Sequence, residues 1–202
     1  MLYFIAMSKG RLEAFSDGVI AILITIMVLE LHIPHDADWA ALKPLTPVFL
    51  SYILSFVYLG IYWNNHHHML QLTTRINGAV LWANLHLLFW LSIVPFVTGW
   101  MGENHFAELP TAIYGFVLLM CAISYTILLR ILIKAQGPNS RLRTAIGGDR
   151  KGNISLACYI GAVPLSFAAR GVSQALYVLV ALIWLVPDRR IEHQLHDHPT
   201  RT

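Results

Sequence analysis

Asp17 stands one residue before an uncharged apolar run, Gly18 to Leu29, which closes on Glu30. A carboxylate at the centre of a hydrocarbon-spanning helix costs about 2.5–3.5 kcal/mol unless it is paired or meets water. Such a residue therefore belongs to a hydrogen-bond network, an ion path or a proton relay. Glu13 and Glu30 are more simply read as markers of the two ends of the apolar run. At 100° per residue, Gly18, Ile22, Thr25 and Leu29 fall within about 60° of one another, and Asp17 projects well away from them. One narrow helix face is thus small, apolar, hydroxyl and apolar, while another offers a carboxylate to neighbouring helices. On periodicity alone, Ile22 and Leu29 are equally ordinary packing positions.

The histidines invite a metal reading. His66, His67 and His68 are consecutive, so on a helix they point 100° apart and cannot converge on one ion within a chain. A helix end at a membrane surface accounts for them better. His193, His196 and His198 have loose spacing in a polar tail, and no metal site is expected there either. The chain has no H-E-x-x-H, no G-x-S-x-G and no close carboxylate pair within an apolar segment. An enzyme needs convergent nucleophilic or acid–base groups, so none is expected.

The elements that position these residues follow from composition. The chain has 202 residues, 56% hydrophobic and only 12% charged, with a mean hydropathy of +0.59. Soluble domains carry about 25% charged residues, so most of this surface faces lipid. The net charge of +3 does not point to nucleic acid, because the basic residues fall between apolar blocks rather than on one face. Cys121 and Cys158 lie inside apolar blocks and read as free thiols.

A span needs about 20 apolar residues. Gaps between charges give six, at about 12–33, 46–67, 76–101, 109–133, 152–169 and 171–187, forming one transmembrane domain over 1–187. Residues 188–202 read as a polar cytoplasmic tail. The last two spans are short, and a single re-entrant hairpin is the alternative. With both termini inside, the inner side carries Lys9, Arg11, Arg75, Arg130, Lys134, Arg141, Arg143, Arg150, Lys151, Arg189, Arg190 and Arg201. The outer side carries only Lys43 and Arg170, a strong positive-inside bias. The expected fold is therefore an all-α, six-span, multi-pass protein of the cell's inner (plasma) membrane with both termini cytoplasmic. The segment before Met7 is too short for a signal peptide, and Met7 is an alternative start.

The run Arg11-Leu12-Glu13-Ala14-Phe15-Ser16-Asp17 reads R-x-x-x-F-S-D at the head of the first span. It closely resembles the signature of the transmembrane protein 175 family, in particular its bacterial members. Trp63 and His66 at the end of span two, Asn84 in span three and Pro95-Phe96 near that span's outer end agree with it. The resemblance implies a potassium-selective or weakly selective monovalent-cation channel without a carbonyl filter; indeed no T-V-G-Y-G loop is present. It also implies a homotetramer, since this chain holds one set of six spans, and one helix cannot enclose a pore where four copies about an axis can.

By the same resemblance, Ile22, Thr25 and Leu29 match the pore-facing residues of the first helix. Rings of Ile22 and Leu29 would gate by dewetting, with Thr25 hydroxyls between them. Arg11, Phe15, Ser16 and Asp17 match the signature, whose role looks structural. Asp17 is expected to accept hydrogen bonds from spans two and three, with His66 and Asn84 as candidate partners and Trp63 as a packing or donor neighbour. The partner of Arg11 is left open. The expected partners are a second to fourth copy of the chain, lipid and monovalent cations, with potassium as permeant ion, no resident cofactor and no nucleic acid. The competing reading is a proton- or cation-coupled transporter using Asp17 and His66. Asp17 near the inner end, and a first helix without a central Gly-Pro break, favour a channel.

Overall fold

The structure, a computed structural model, describes residues 8–137, 142–143 and 149–185. The expected tail at 188–202, its histidines and the region around Met7 as a start lie outside the described residues, apart from Ser8 onward.

Every regular element among the described residues is helical. Helix α1 spans Lys9–Ile26 and tightens into one 3-10 turn, Met27–Glu30. Pro34 follows, and the residue before a proline is pushed out of the helical region. Residues 31–33, inside the first expected span, accordingly lie beyond the helix. A short helix α2, Trp39–Leu42, is capped by Asp38, whose Oδ1 accepts from the Ala41 amide at 2.9 Å. A 3-10 turn, Lys43–Leu45, leads into α3, Thr46–Gln71, with Pro47 in its first turn where no amide partner is needed.

Helix α4, Gly78–Glu103, starts on an Asn77 cap that accepts from the Val80 amide at 3.0 Å. Helix α5 is Glu108–Gln136, α6 is Arg150–Ala168 and α7 is Arg170–Leu185. Among the described residues, four segments are long and apolar enough to cross a membrane: Lys9–Glu30, Trp39–Gln71, Gly78–Glu103 and Glu108–Gln136. Helix α7 has 16 residues, or about 24 Å at 1.5 Å per residue, shorter than the roughly 30 Å of a typical hydrocarbon core. Helices α6 and α7 are separate elements that break at Ala169, and the Ser166 and Ser173 hydroxyls bond each other at 2.8 Å across the turn.

Packing orders the helices into a bundle. Helix α4 packs on α3 and α5, α5 packs on α6, α6 on α7, and α7 returns to α3. Helix α1 lies outside this circuit and leans on α3 and α4. Helix interfaces in lipid favour small residues that let backbones approach. Gly102 on α4 shows why: a Cβ there would stand 2.7 Å from the Val48 Cα of α3. Buried hydroxyls tie the same faces together. Thr98 donates to Ser55 at 2.7 Å, Ser55 bonds the Tyr114 hydroxyl at 3.0 Å, and Tyr58 donates to the Tyr177 carbonyl at 2.6 Å. Cys121 is buried and Cys158 half-buried, both as free thiols.

Candidate functional site: a first helix with two faces

Helix α1 has one face turned into the chain and one turned out. Leu12, Ser16, Ile20, Leu23 and Met27 recur at helical spacing and are buried against α3 and α4. The opposite face carries Gly18, Ile22, Thr25 and Leu29, all exposed. Ile22 is 59% exposed and Leu29 is 76% exposed, both uncommonly open for such side chains. Phe15 is exposed as well. The hydroxyl of Thr25 donates to the Ile22 carbonyl at 2.9 Å. That bond uses the hydroxyl proton and leaves oxygen lone pairs on the open face, an arrangement that receives cations rather than anions.

The buried face is pinned by a directional chain of hydrogen bonds. The Ser16 hydroxyl donates to the Leu12 carbonyl at 2.8 Å. The Asn84 amide of α4 donates to the Ser16 oxygen at 2.9 Å. Its carbonyl oxygen lies 2.7 Å from His66 Nε2 of α3. Because the amide nitrogen of Asn84 is already spent on Ser16, its carbonyl is the acceptor and His66 carries the proton on Nε2. Ser16 and Asn84 are fully buried and His66 is 1% exposed. His66 Nδ1 is buried with no hydrogen-bond partner among the described residues. Three helices thus meet through one serine, one asparagine and one histidine.

Asp17 sits beside this chain of bonds and not within it. Its Oδ1 accepts from the Trp63 indole of α3 at 3.1 Å, and Trp63 is 42% exposed. This alters the expected wiring: Trp63 is the donor to Asp17, while His66 and Asn84 reach α1 through Ser16. The reason is angular. Ser16 shares the inward stripe of Leu12 and Ile20, four residues on either side, whereas Asp17 is rotated 100° from it. Arg11 is exposed and stands apart from these bonds. Lys9 fastens the start of α1, donating to the Gln71 carbonyl at 3.1 Å and pairing with Glu13 at 3.6 Å.

The histidine triplet diverges as helical geometry requires. His66 faces Asn84, and His67 stacks on Trp63 with centroids 5.9 Å apart while accepting from Gln71 at 2.8 Å. The bridging role of Ser16 was the residue-level feature the sequence reading missed. Its i, i+4 spacing to Leu12 and Ile20 was the available signal.

These features recur in known proteins. The family model described as Endosomal/lysosomal potassium channel TMEM175 matches residues 11–95. A potassium channel of Chryseobacterium sp. (strain P1-3) is 55% identical over 192 residues, covering 95% of this chain and 100% of that protein. The chain belongs to the TMEM175 family. Its fold matches the crystal structure of a lysosomal potassium-selective channel TMEM175 homolog from Chamaesiphon minutus, with a TM-score of 0.79 and 28% identity over 89% of this chain and 97% of that one. The endosomal/lysosomal proton channel TMEM175 of Gallus gallus is 29% identical over 131 residues, which are 59% of this chain and 26% of that protein. The family and these relatives are ion channels, not enzymes. Every residue of the Ser16–Asn84–His66 chain and of the Asp17–Trp63 pair falls within the matched 11–95 segment of this TMEM175 protein.

Proposed function

We propose that four copies of this chain form a potassium-favouring monovalent-cation channel in the inner (plasma) membrane, with the open face of α1 as its wall. The observation that carries this reading is the exposed stripe Ile22, Thr25 and Leu29 on a helix whose other face is bonded to α3 and α4. Four α1 helices about an axis enclose a path that one cannot. Ile22 and Leu29 are seven residues apart, about 12 Å along α1 and its closing 3-10 turn, so two apolar collars bracket the Thr25 hydroxyls. An ion passing an Ile22 collar loses water or meets a dewetted gap. Thr25, its proton held by the Ile22 carbonyl, offers oxygen to the partly dehydrated cation.

In this reading both termini lie in the cytoplasm, consistent with the basic bias of the inner loops, and α6 and α7 complete six crossings. The α7 deficit of about 6 Å against the hydrocarbon core is of the size met by local thinning of the bilayer. Lipid, potassium and the other subunits are the partners, and no cofactor or nucleic acid takes part.

The test is reconstitution in liposomes with potassium on one side and sodium on the other. Wild type passes potassium down its gradient in preference to sodium, and Ile22→Asn raises leak or lowers selectivity. Unchanged conductance and selectivity in Ile22→Asn would remove Ile22 from the constriction. The transporter alternative, with Asp17 and His66 carrying protons, requires uphill potassium movement driven by a pH gradient. The geometry favours the channel, since Asp17 bonds Trp63 and His66 bonds Asn84, without a direct hydrogen bond between the two acids of the relay.

A further inference from the structure

Away from α1, a small pocket of about 40 Å³ opens between α3, α5, α6 and α7. Tyr58, Tyr62, Tyr125, Tyr159 and Trp184 form its aromatic wall, and Asp149 supplies a carboxylate. Among the described residues, no lysine or arginine lines it.

The walls are held in place. Tyr62 meets Tyr125 edge-on with centroids 6.2 Å apart, and Tyr58 and Tyr159 are 6.5 Å apart. The Trp184 indole donates to Ser155 at 2.8 Å, which orients its ring. Asp149 caps α6, its Oδ1 accepting from the Gly152 amide at 2.8 Å. Gly152 makes room for that carboxylate, because a Cβ at this position would collide with both carboxylate oxygens. One cation already uses the aromatic surface: Lys151 Nζ lies 5.9 Å from the Trp184 ring centroid.

Aromatic faces carry negative electrostatic potential and attract cations shielded from water. A half-buried carboxylate beside them rejects anions, and a purely apolar guest would strip its water without compensation. A potassium ion holds its hydration shell too tightly to prefer rings to water, whereas an alkylammonium brings apolar surface and charge together. We propose that this pocket binds a compact alkylammonium ion, its methyl groups against the tyrosines and Trp184 and its charge opposite Asp149. None of its residues belongs to the proposed pore, so this site stands or falls separately from the channel reading.

The test is calorimetric titration of the purified full-length protein with tetramethylammonium in potassium buffer, with tert-butanol as the neutral probe of similar shape. Wild type binds tetramethylammonium saturably and tert-butanol at least tenfold more weakly. Asp149→Asn keeps an N-cap acceptor and removes the charge, and weakens binding by about tenfold, equivalent to about 1.4 kcal/mol. Tyr125→Leu weakens it similarly, and this variant decides the matter should Asp149→Asn not fold by circular dichroism. Ile22→Asn leaves the affinity unchanged, which separates this pocket from the pore. Absence of saturable binding to folded wild type, equal affinity for tert-butanol, loss of binding in Ile22→Asn, or indifference to both pocket substitutions would each overturn the proposal.

Discussion

Asn84→Ala tests whether α1 is held chiefly by its buried serine or by its aspartate. The substitution removes the bond to Ser16 at 2.9 Å and the bond to His66 at 2.7 Å. Hydrogen bonds between membrane helices are worth about 0.6 kcal/mol on average and at most about 1.7. The larger cost lies in what is stranded. His66 Nδ1 already lacks a partner among the described residues, so losing Asn84 leaves both ring nitrogens of a side chain that is 1% exposed unsatisfied there. A buried unmet donor costs about 1–3 kcal/mol, giving a total of about 2–4 kcal/mol. For a chain of this size that lowers Tm by on the order of 5–15 °C. Asp17→Ala removes the acceptor of one bond from a half-open indole, for which about 0.5–1.5 kcal/mol is expected. Thermal unfolding of the purified protein, followed by size-exclusion chromatography after heating, ranks the two. His66→Leu combined with Asn84→Leu recovers most of the loss, since replacing both partners by apolar groups strands nothing. Equal Tm values for Asn84→Ala and wild type, a larger loss in Asp17→Ala, or no recovery in the double variant would refute the argument.

Other expected outcomes follow from the same geometry. Thr25→Val keeps the shape and removes the oxygen that faces outward from the Ile22 bond, so potassium flux in liposomes falls while the unfolding free energy stays within about 0.5 kcal/mol of wild type, as for an exposed substitution. Gly102→Ala forces α4 away from Val48, whose Cα would lie 2.7 Å from the new methyl group, at a cost of about 1–3 kcal/mol read as a lower Tm. Gln136→Ala frees the α3–α4 connection, since its carbonyl accepts from the Thr74 and Arg75 amides at 2.9 and 3.2 Å and its amide donates to the Arg75 carbonyl at 2.9 Å; faster proteolysis at Thr74–Arg75 is the readout. Light scattering on wild type should return the mass of four subunits; a monomer with full ion flux would contradict the shared pore.

Much of α1 was legible because a helix writes its faces into its spacing. Gly18, Ile22, Thr25 and Leu29 form a stripe by angle alone, and the structure leaves that stripe open. What spacing does not carry is the identity of the neighbour across an interface. Trp63, His66 and Asn84 were recognisable as a set, but their division between Asp17 and Ser16 depends on a rotation of 100° that only the packed helices reveal. The contacts among Ser55, Tyr58, Tyr114 and Tyr177 were invisible for a similar reason. They join positions far apart in the chain whose aromatic and hydroxyl types are ordinary in any apolar helix. The bounds of α6 and α7 were easier than their depth, because charge gaps mark where helices end while 16 residues do not by themselves say how a bilayer meets them.

The two faces of α1 also explain why polar residues concentrate on so lipid-like a helix. Its exposed stripe has no greasy partner within the chain, so hydrophobic burial inside the subunit fixes only half the helix's circumference. The helix also stands outside the circuit formed by α3 through α7 and packs on α3 and α4 alone among the long helices. Dispersion against α3 and α4 is tolerant of small slides and rotations, whereas hydrogen bonds are directional. A rotation of one residue's worth, 100°, would turn Ile22 off its face and present a different side chain there. The Ser16–Asn84–His66 chain and the Asp17–Trp63 bond sit on different sides of α1 and attach to two helices. Bonds on two sides resist rotation in a way that one bond cannot. The polar residues that look costly in a membrane helix are thus the ones that set the angle at which the exposed stripe is presented.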